Sequence, residues 1–126
     1  MAQISRFEDL PIWQLAIELA VKIYNISLEG KLKNDFELKA QIKDAAVSVS
    51  NNIAEGFEYD NNADFIRFLT YSKGSVGEVR SMINFLQKVE YISNEKFDEI
   101  YNDCINLSKQ INNFRQYIKN NKSRKR

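Results

Sequence analysis

The last third of the chain carries a regular 3-4 alternation of apolar residues. Two series with a spacing of seven run side by side: Phe97, Cys104, Ile111 and Ile118, and Ile100, Leu107 and Phe114. This alternation is typical of a helix that packs along its whole length against other helices. It predicts a helix over residues 94–119 with one buried stripe. Cys104 lies inside that stripe, which favours a buried small hydrophobe over a nucleophile.

Three further segments repeat apolar residues with helical spacing, at about residues 11–26, 35–55 and 62–89. The chain has one Pro and four Gly, so a fold with many turns is disfavoured. Pro11 suits the first turn of a helix, because its missing N–H would have no partner there. Four long helices with short connections predict an all-α fold, an antiparallel up-and-down four-helix bundle. We expect one domain, residues 1–126, that ends in a basic tail over residues 120–126.

The composition disfavours several kinds of active site. The chain has no His and a single Cys, so it lacks the usual general base, the usual transition-metal ligand and an internal disulfide. We therefore expect no metal, no cofactor and no enzyme activity. No apolar run approaches the roughly 20 residues of a membrane span, and the first residues do not resemble a secretion signal. The expected location is the cytoplasm, without membrane contact.

One stretch of the second helix, SVSNNIAEGFE, is conspicuously polar. Helical geometry projects Ser48, Asn52 and Glu55 from one side. We expect these residues either to fix the turn between the second and third helices by hydrogen bonds or to face a neighbouring subunit. Gly56 follows the last periodic residue and is interpreted as the C-cap of the helix. An enzyme that uses Glu55 or Glu78 is disfavoured, because few catalytic groups accompany them.

The third helix contains two glycines opposite its core stripe. A glycine within a helix costs roughly 1 kcal/mol relative to Ala, so Gly74 and Gly77 need a reason. Small residues let two backbones approach closely, either inside the bundle or between subunits. Their position away from the core, with Ser81, favours a subunit interface.

Charge is distributed unevenly along the chain. The net charge is +1, yet no acidic residue follows Asp103. A basic C-terminal segment suits phosphate backbones, although a tail that only aids solubility is the alternative. No base-reading motif is visible, so binding should be directed at the backbone and sensitive to salt. The candidate nucleic-acid-binding residues are Arg115, Lys119, Lys122, Arg124, Lys125 and Arg126.

Three blocks can be matched together: FEDLPIWQLAIELAVKIY, QIKDAAVSVSNNIAEG and FIRFLTYSKGSVGEV. Their characteristic positions are Phe7, Leu10 and Trp13, then Gln41, Ala46, Ser48, Asn52, Ile53, Ala54, Glu55 and Gly56, then Gly74, Ser75 and Glu78. In order and spacing the blocks resemble the family of 23S rRNA intervening-sequence proteins. That family is similar to the accessory protein of diversity-generating retroelements.

The resemblance implies a four-helix bundle that assembles into a homopentamer and is not an enzyme. The retroelement relatives bind nucleic acid and a reverse transcriptase, which implies RNA, DNA or a protein as a partner here. We expect a cytosolic oligomer that binds nucleic-acid backbone through its C-terminal segment. The alternative is a protein-binding or scaffolding ring with no nucleic-acid role. The structural or interface motif would comprise Ser48, Asn52, Glu55, Gly56, Gly74, Ser75, Gly77 and Glu78.

Overall fold

A computed structural model describes residues 4–121 as four long helices joined by short connections. The helices are α1 (Pro11–Ile26), α2 (Phe36–Glu58), α3 (Asn62–Lys88) and α4 (Asn94–Asn120). A short 3-10 helix precedes α1, and another links α1 to α2. Successive helices run in opposite directions, and the described range contains no strand. The all-α, antiparallel four-helix bundle predicted from the sequence is confirmed.

The starts of the helices follow from their first residues. Asp35, Asn61 and Ser93 each accept a hydrogen bond from the backbone N–H three residues later, at 3.3, 2.8 and 3.1 Å. These caps satisfy N–H groups that the first turn leaves without a partner. α1 begins instead with Pro11, which has no N–H to satisfy.

The core follows the apolar stripes of the sequence. In α3 the buried residues recur with the helical spacing that the sequence predicts for this segment: Phe65, Phe68, Leu69, Ser72, Val76, Val79, Ile83 and Leu86. In α4 the side chain of Cys104 is fully buried. Burial raises the pKa of its thiol to about 12, so the thiolate that a nucleophile needs does not form near neutral pH.

The connection between α1 and α2 is more structured than the sequence pattern indicates. Residues 27–34 interrupt the helical periodicity, yet Gly30–Asn34 forms a 3-10 helix that buries Leu32 completely. Leu32 is a single apolar residue between two lysines, so no periodicity marked it as part of the core.

The end of α2 corrects the sequence interpretation. The helix continues through Gly56 to Glu58, so the predicted end at residue 55 and the C-cap role of Gly56 are wrong. Gly56 is buried against α3: an added Cβ would lie 2.6 Å from the Cβ of Phe68 and 3.2 Å from the ring of Phe65. Glycine is needed here because α2 and α3 approach closely.

Candidate nucleic-acid interface and the motif residues

Two of the six candidate nucleic-acid-binding residues lie in the described range, on the last turns of α4. Arg115 donates hydrogen bonds to Thr70 Oγ1 at 3.0 Å and to Asn112 Oδ1 at 2.7 Å. Lys119 is exposed. Between residues 4 and 121, neither Arg115 nor Lys119 forms an ion pair. The other four candidates lie outside the described residues: Lys122, Arg124, Lys125 and Arg126.

The first half of α4 has the opposite character. Lys22 of α1 contacts Asp103 at 2.6 Å and Glu99 at 2.9 Å. The hydrogen bond from Lys22 lowers the pKa of Glu99, while those to Asp103 and Glu99 raise the pKa of Lys22. Two carboxylates in the first half of α4 are therefore paired with α1, whereas Arg115 and Lys119 in its second half have no ion-pair partner among the described residues.

An aromatic cluster lies where α2 ends and α3 begins, at the same end of the bundle as Arg115. Tyr59 stacks on Phe68, with ring centroids 5.2 Å apart and planes at 16°. Tyr71 meets the same ring edge to face at 5.6 Å, and the guanidinium of Arg67 lies 4.6 Å from its centroid. Tyr59 and Tyr71 are 50% and 49% exposed, whereas Phe68 is 7% exposed. We call these four residues the aromatic–arginine cluster.

The sequence reasoning missed this cluster. Its members come from α3 and from the turn that follows α2, and the sequence pattern marks Phe68 only as an apolar residue at helical spacing. A usable signal exists, because Arg67 and Tyr71 are four residues apart and lie off the buried stripe on one side of α3. Asp64 holds Arg67 in place with an ion pair of 2.9 Å. This hydrogen-bonded pair lowers the pKa of Asp64 and raises that of Arg67.

The motif residues of α2 and α3 form a small polar network along the contact between the two helices. The hydroxyls of Ser48 and Ser75 are 2.9 Å apart. Asn52 donates to the carbonyl of Ser48 at 2.8 Å and to its hydroxyl at 3.0 Å. The structure thus brings these three residues together in the middle of the α2–α3 contact. Glu55 is exposed and takes no part in this network.

Gly74, Gly77 and Glu78 lie on the outer face of α3, where all three are exposed. A Cβ added at Gly74 or Gly77 would meet no atom of the described chain within 4 Å. Close packing inside the bundle therefore does not explain these two glycines. Ser75, by contrast, contacts α2 through its hydroxyl.

No cluster of three His, Cys, Asp or Glu side chains within residues 4–121 is arranged to hold a metal ion. None of the helices in the same range is both long and apolar enough to cross a membrane.

Comparison with known proteins identifies relatives that match most of the chain. A family model described as 23S rRNA-intervening sequence protein matches residues 8–113. A crystal structure at 1.70 Å of a protein with unknown function, from the S23 ribosomal protein family of Bacteroides thetaiotaomicron VPI-5482, is similar in fold. The two chains are 26% identical with a TM-score of 0.75, over 83% of this chain and 95% of the other. No curated protein matches the chain.

Proposed function

We propose a function for this chain, which belongs to the 23S rRNA-intervening sequence protein family: it is a non-enzymatic, cytosolic, oligomeric bundle that binds the phosphate backbone of RNA or DNA. Binding uses Arg115, Lys119 and the basic residues that follow them. One observation carries the proposal. Among the described residues, the guanidinium of Arg115 bonds only to the neutral oxygens of Thr70 and Asn112, so no carboxylate in that range pairs with its charge.

The chemistry of the contact follows from the arginine side chain. A guanidinium has five N–H donors in a fixed plane, and two of the donors of Arg115 are used by Thr70 and Asn112. These bonds orient the group, and the remaining donors are suited to phosphate oxygens. Contacts of this kind release counterions from the nucleic acid, so affinity should fall steeply with salt. They read no base edge, so we expect little dependence on sequence.

We propose that several copies of the chain assemble, and the family resemblance suggests a pentamer. The open positions at Gly74 and Gly77 support a contact of α3 with a neighbouring subunit, because nothing in the described chain requires small residues there. A ring would place one basic segment per subunit on the same particle. Linked weak contacts raise the overall affinity without any new contact in each subunit.

A gel-shift titration tests the proposal. Structured RNA and duplex DNA are each titrated with the intact protein at two salt concentrations, beside a protein truncated after Asn120 and an Arg115→Gln variant. We expect binding that weakens with salt, a smaller salt dependence for Arg115→Gln, and loss of binding on truncation. Lys88→Gln, at the other end of α3, is the matched control and should bind as the intact protein does. Absence of binding at low salt would contradict the proposal.

A second candidate function, a protein-binding or scaffolding ring, is favoured by a different surface. An apolar face on α1 and α2 exposes Val21, Tyr24, Phe36 and Val47, of which Phe36 is 72% exposed. Lys43 of α2 lies 5.5 Å from the ring of Tyr24, which joins the two helices into one face. Exposed apolar patches mark contacts with proteins. If the chain forms an oligomer but shifts neither RNA nor DNA in the gel, the result would favour the protein-binding or scaffolding ring.

A further inference from the structure

The aromatic–arginine cluster lies at the same end of the bundle as the proposed phosphate-binding residues. Arg115 of α4 bonds to Thr70, and the next residue along α3 is Tyr71, whose ring is half exposed. α2 and α4 end, and α3 begins, at the same end of the antiparallel bundle. The half-exposed rings of Tyr59 and Tyr71 and the guanidinium of Arg115 therefore lie at the same end of the bundle.

We propose that Tyr71, supported by Tyr59, is a stacking platform for nucleobases, which makes the chain prefer single-stranded nucleic acid to duplex. This inference rests on the proposed function and adds to it the class of ligand. In a duplex the base faces are covered by their neighbours, whereas a single strand can turn its bases onto an aromatic ring. Stacking of this kind tolerates any sequence, because every base has a π-face.

The rings are held in place before any ligand arrives. Phe68 is buried and fixes both tyrosines, Tyr59 by parallel stacking and Tyr71 by an edge-to-face contact. Arg67 lies 5.9 Å from the ring of Tyr71 as well as over Phe68. A ring held in this way loses little conformational freedom when a base stacks on it.

The charges around the cluster set the direction of a bound strand. Glu55 and Glu58 lie on the α2 side, near Tyr59, and disfavour phosphate there. Arg115 and Lys119 lie on the α4 side and favour it. We therefore assign the phosphates of the strand to α4 and a base to Tyr71, with Tyr59 as the secondary position.

Fluorescence anisotropy tests the inference directly. The intact protein is titrated into a labelled single-stranded RNA of mixed sequence and into a labelled duplex of the same length. We expect tighter binding of the single strand. Tyr71→Ala should weaken single-strand binding at least about fivefold, which is the lower end of the usual loss for one stacked base, and leave duplex binding unchanged.

Three further variants serve as controls for the effect of Tyr71→Ala. Tyr71→Phe keeps the ring and should bind the single strand as the intact protein does. Phe85→Ala removes another exposed aromatic on α3, 14 residues or about 21 Å along the helix, and should leave both affinities unchanged. Tyr59→Ala should weaken single-strand binding less than Tyr71→Ala, and it provides a second reading if Tyr71→Ala fails to fold.

Each contrary result has a distinct meaning. Equal affinity of the intact protein for single strand and duplex would overturn the inference and keep the proposed function. No binding of either nucleic acid would overturn both. If Tyr71→Ala weakened binding of both equally and also dissociated the oligomer in sedimentation, the platform would be a subunit contact and the inference would be wrong.

Discussion

Small residues occur at both faces of α3, but for opposite reasons. On the inner face, Gly56 of α2 meets Phe68 so closely that an added Cβ would lie 2.6 Å from the Cβ of that residue. On the outer face, Gly74 and Gly77 have open space around them within the described chain. The inner glycine is therefore explained by the fold of one subunit. The outer pair costs helix stability without any benefit inside the subunit, which fits a role in contact with a partner.

The largest effect should come from filling the inner face. Gly56→Ala gains roughly 1 kcal/mol of helix propensity, but both clashing atoms are Cβ atoms, which move only with their backbones. Overpacking of this kind costs about 1–3 kcal/mol, and a contact as short as 2.6 Å lies at the upper end. We expect a net loss of about 2 kcal/mol in the free energy of unfolding, measured by urea denaturation at fixed protein concentration. A variant as stable as the original would show that α2 and α3 separate without cost.

Removing a buried hydrogen bond on the same face should have a smaller effect. Ser72 is fully buried and donates to the carbonyl of Val49 at 2.8 Å. Ser72→Ala should reduce the free energy of unfolding by about 1 kcal/mol, the usual net value of such a bond. Ser81→Ala is the matched control on the outer face and should change stability by less than about 0.5 kcal/mol. Equal effects of the two variants would remove the distinction between the faces.

Substitution of the outer glycines should act in the opposite direction on one subunit. Gly74→Ala and Gly77→Ala place a methyl group in open space and gain helix propensity, up to about 1 kcal/mol each. Unfolding of the dissociated chain at low concentration should therefore require more urea in these variants. A loss of stability in the monomer would mean that the outer face carries an internal packing role.

The smallest effect concerns the α1–α4 contact, where Lys22 pairs with Glu99 and Asp103. The pKa of Glu99 is lowered from its ordinary value of 4.5 by hydrogen bonding to Lys22. A carboxyl with a depressed pKa stabilises the fold above its unfolded pKa, and that contribution is lost as the pH falls through the lower folded value. Between about pH 6 and pH 3, the free energy of unfolding should thus fall less steeply for Glu99→Gln than for the original protein. Glu18→Gln, at an exposed position, is the control. If stability fell identically with pH in both variants, the role of the Lys22–Glu99 pair would be contradicted.

The sequence predicted the inner face better than the outer one. Burial in α3 follows from helical periodicity, so Phe65 to Leu86 could be assigned from spacing alone. The role of Gly56 could not be assigned in this way. A glycine near a helix end has the same sequence signature whether it caps the helix or lets a neighbouring helix approach closely. Only the position of Phe68 on α3 separates these possibilities.

The candidate binding surface was predictable only in part. The basic character of α4 after Asp103 is a property of composition and can be counted along the chain. The contact of Arg115 with Thr70 joins residues 45 positions apart, and the register of two packed helices decides it. The aromatic–arginine cluster was not predicted for the same reason, since Tyr59 contacts Phe68 only across the turn between α2 and α3.

Sedimentation velocity of the intact protein tests most directly whether the outer face of α3 serves a partner subunit. The proposed assembly predicts a species several times heavier than the 14.7 kDa chain, and a Gly74→Leu, Gly77→Leu double variant that sediments as a folded monomer. A 14.7 kDa species of the unmodified protein at every concentration, with no change in the double variant, would contradict the proposal.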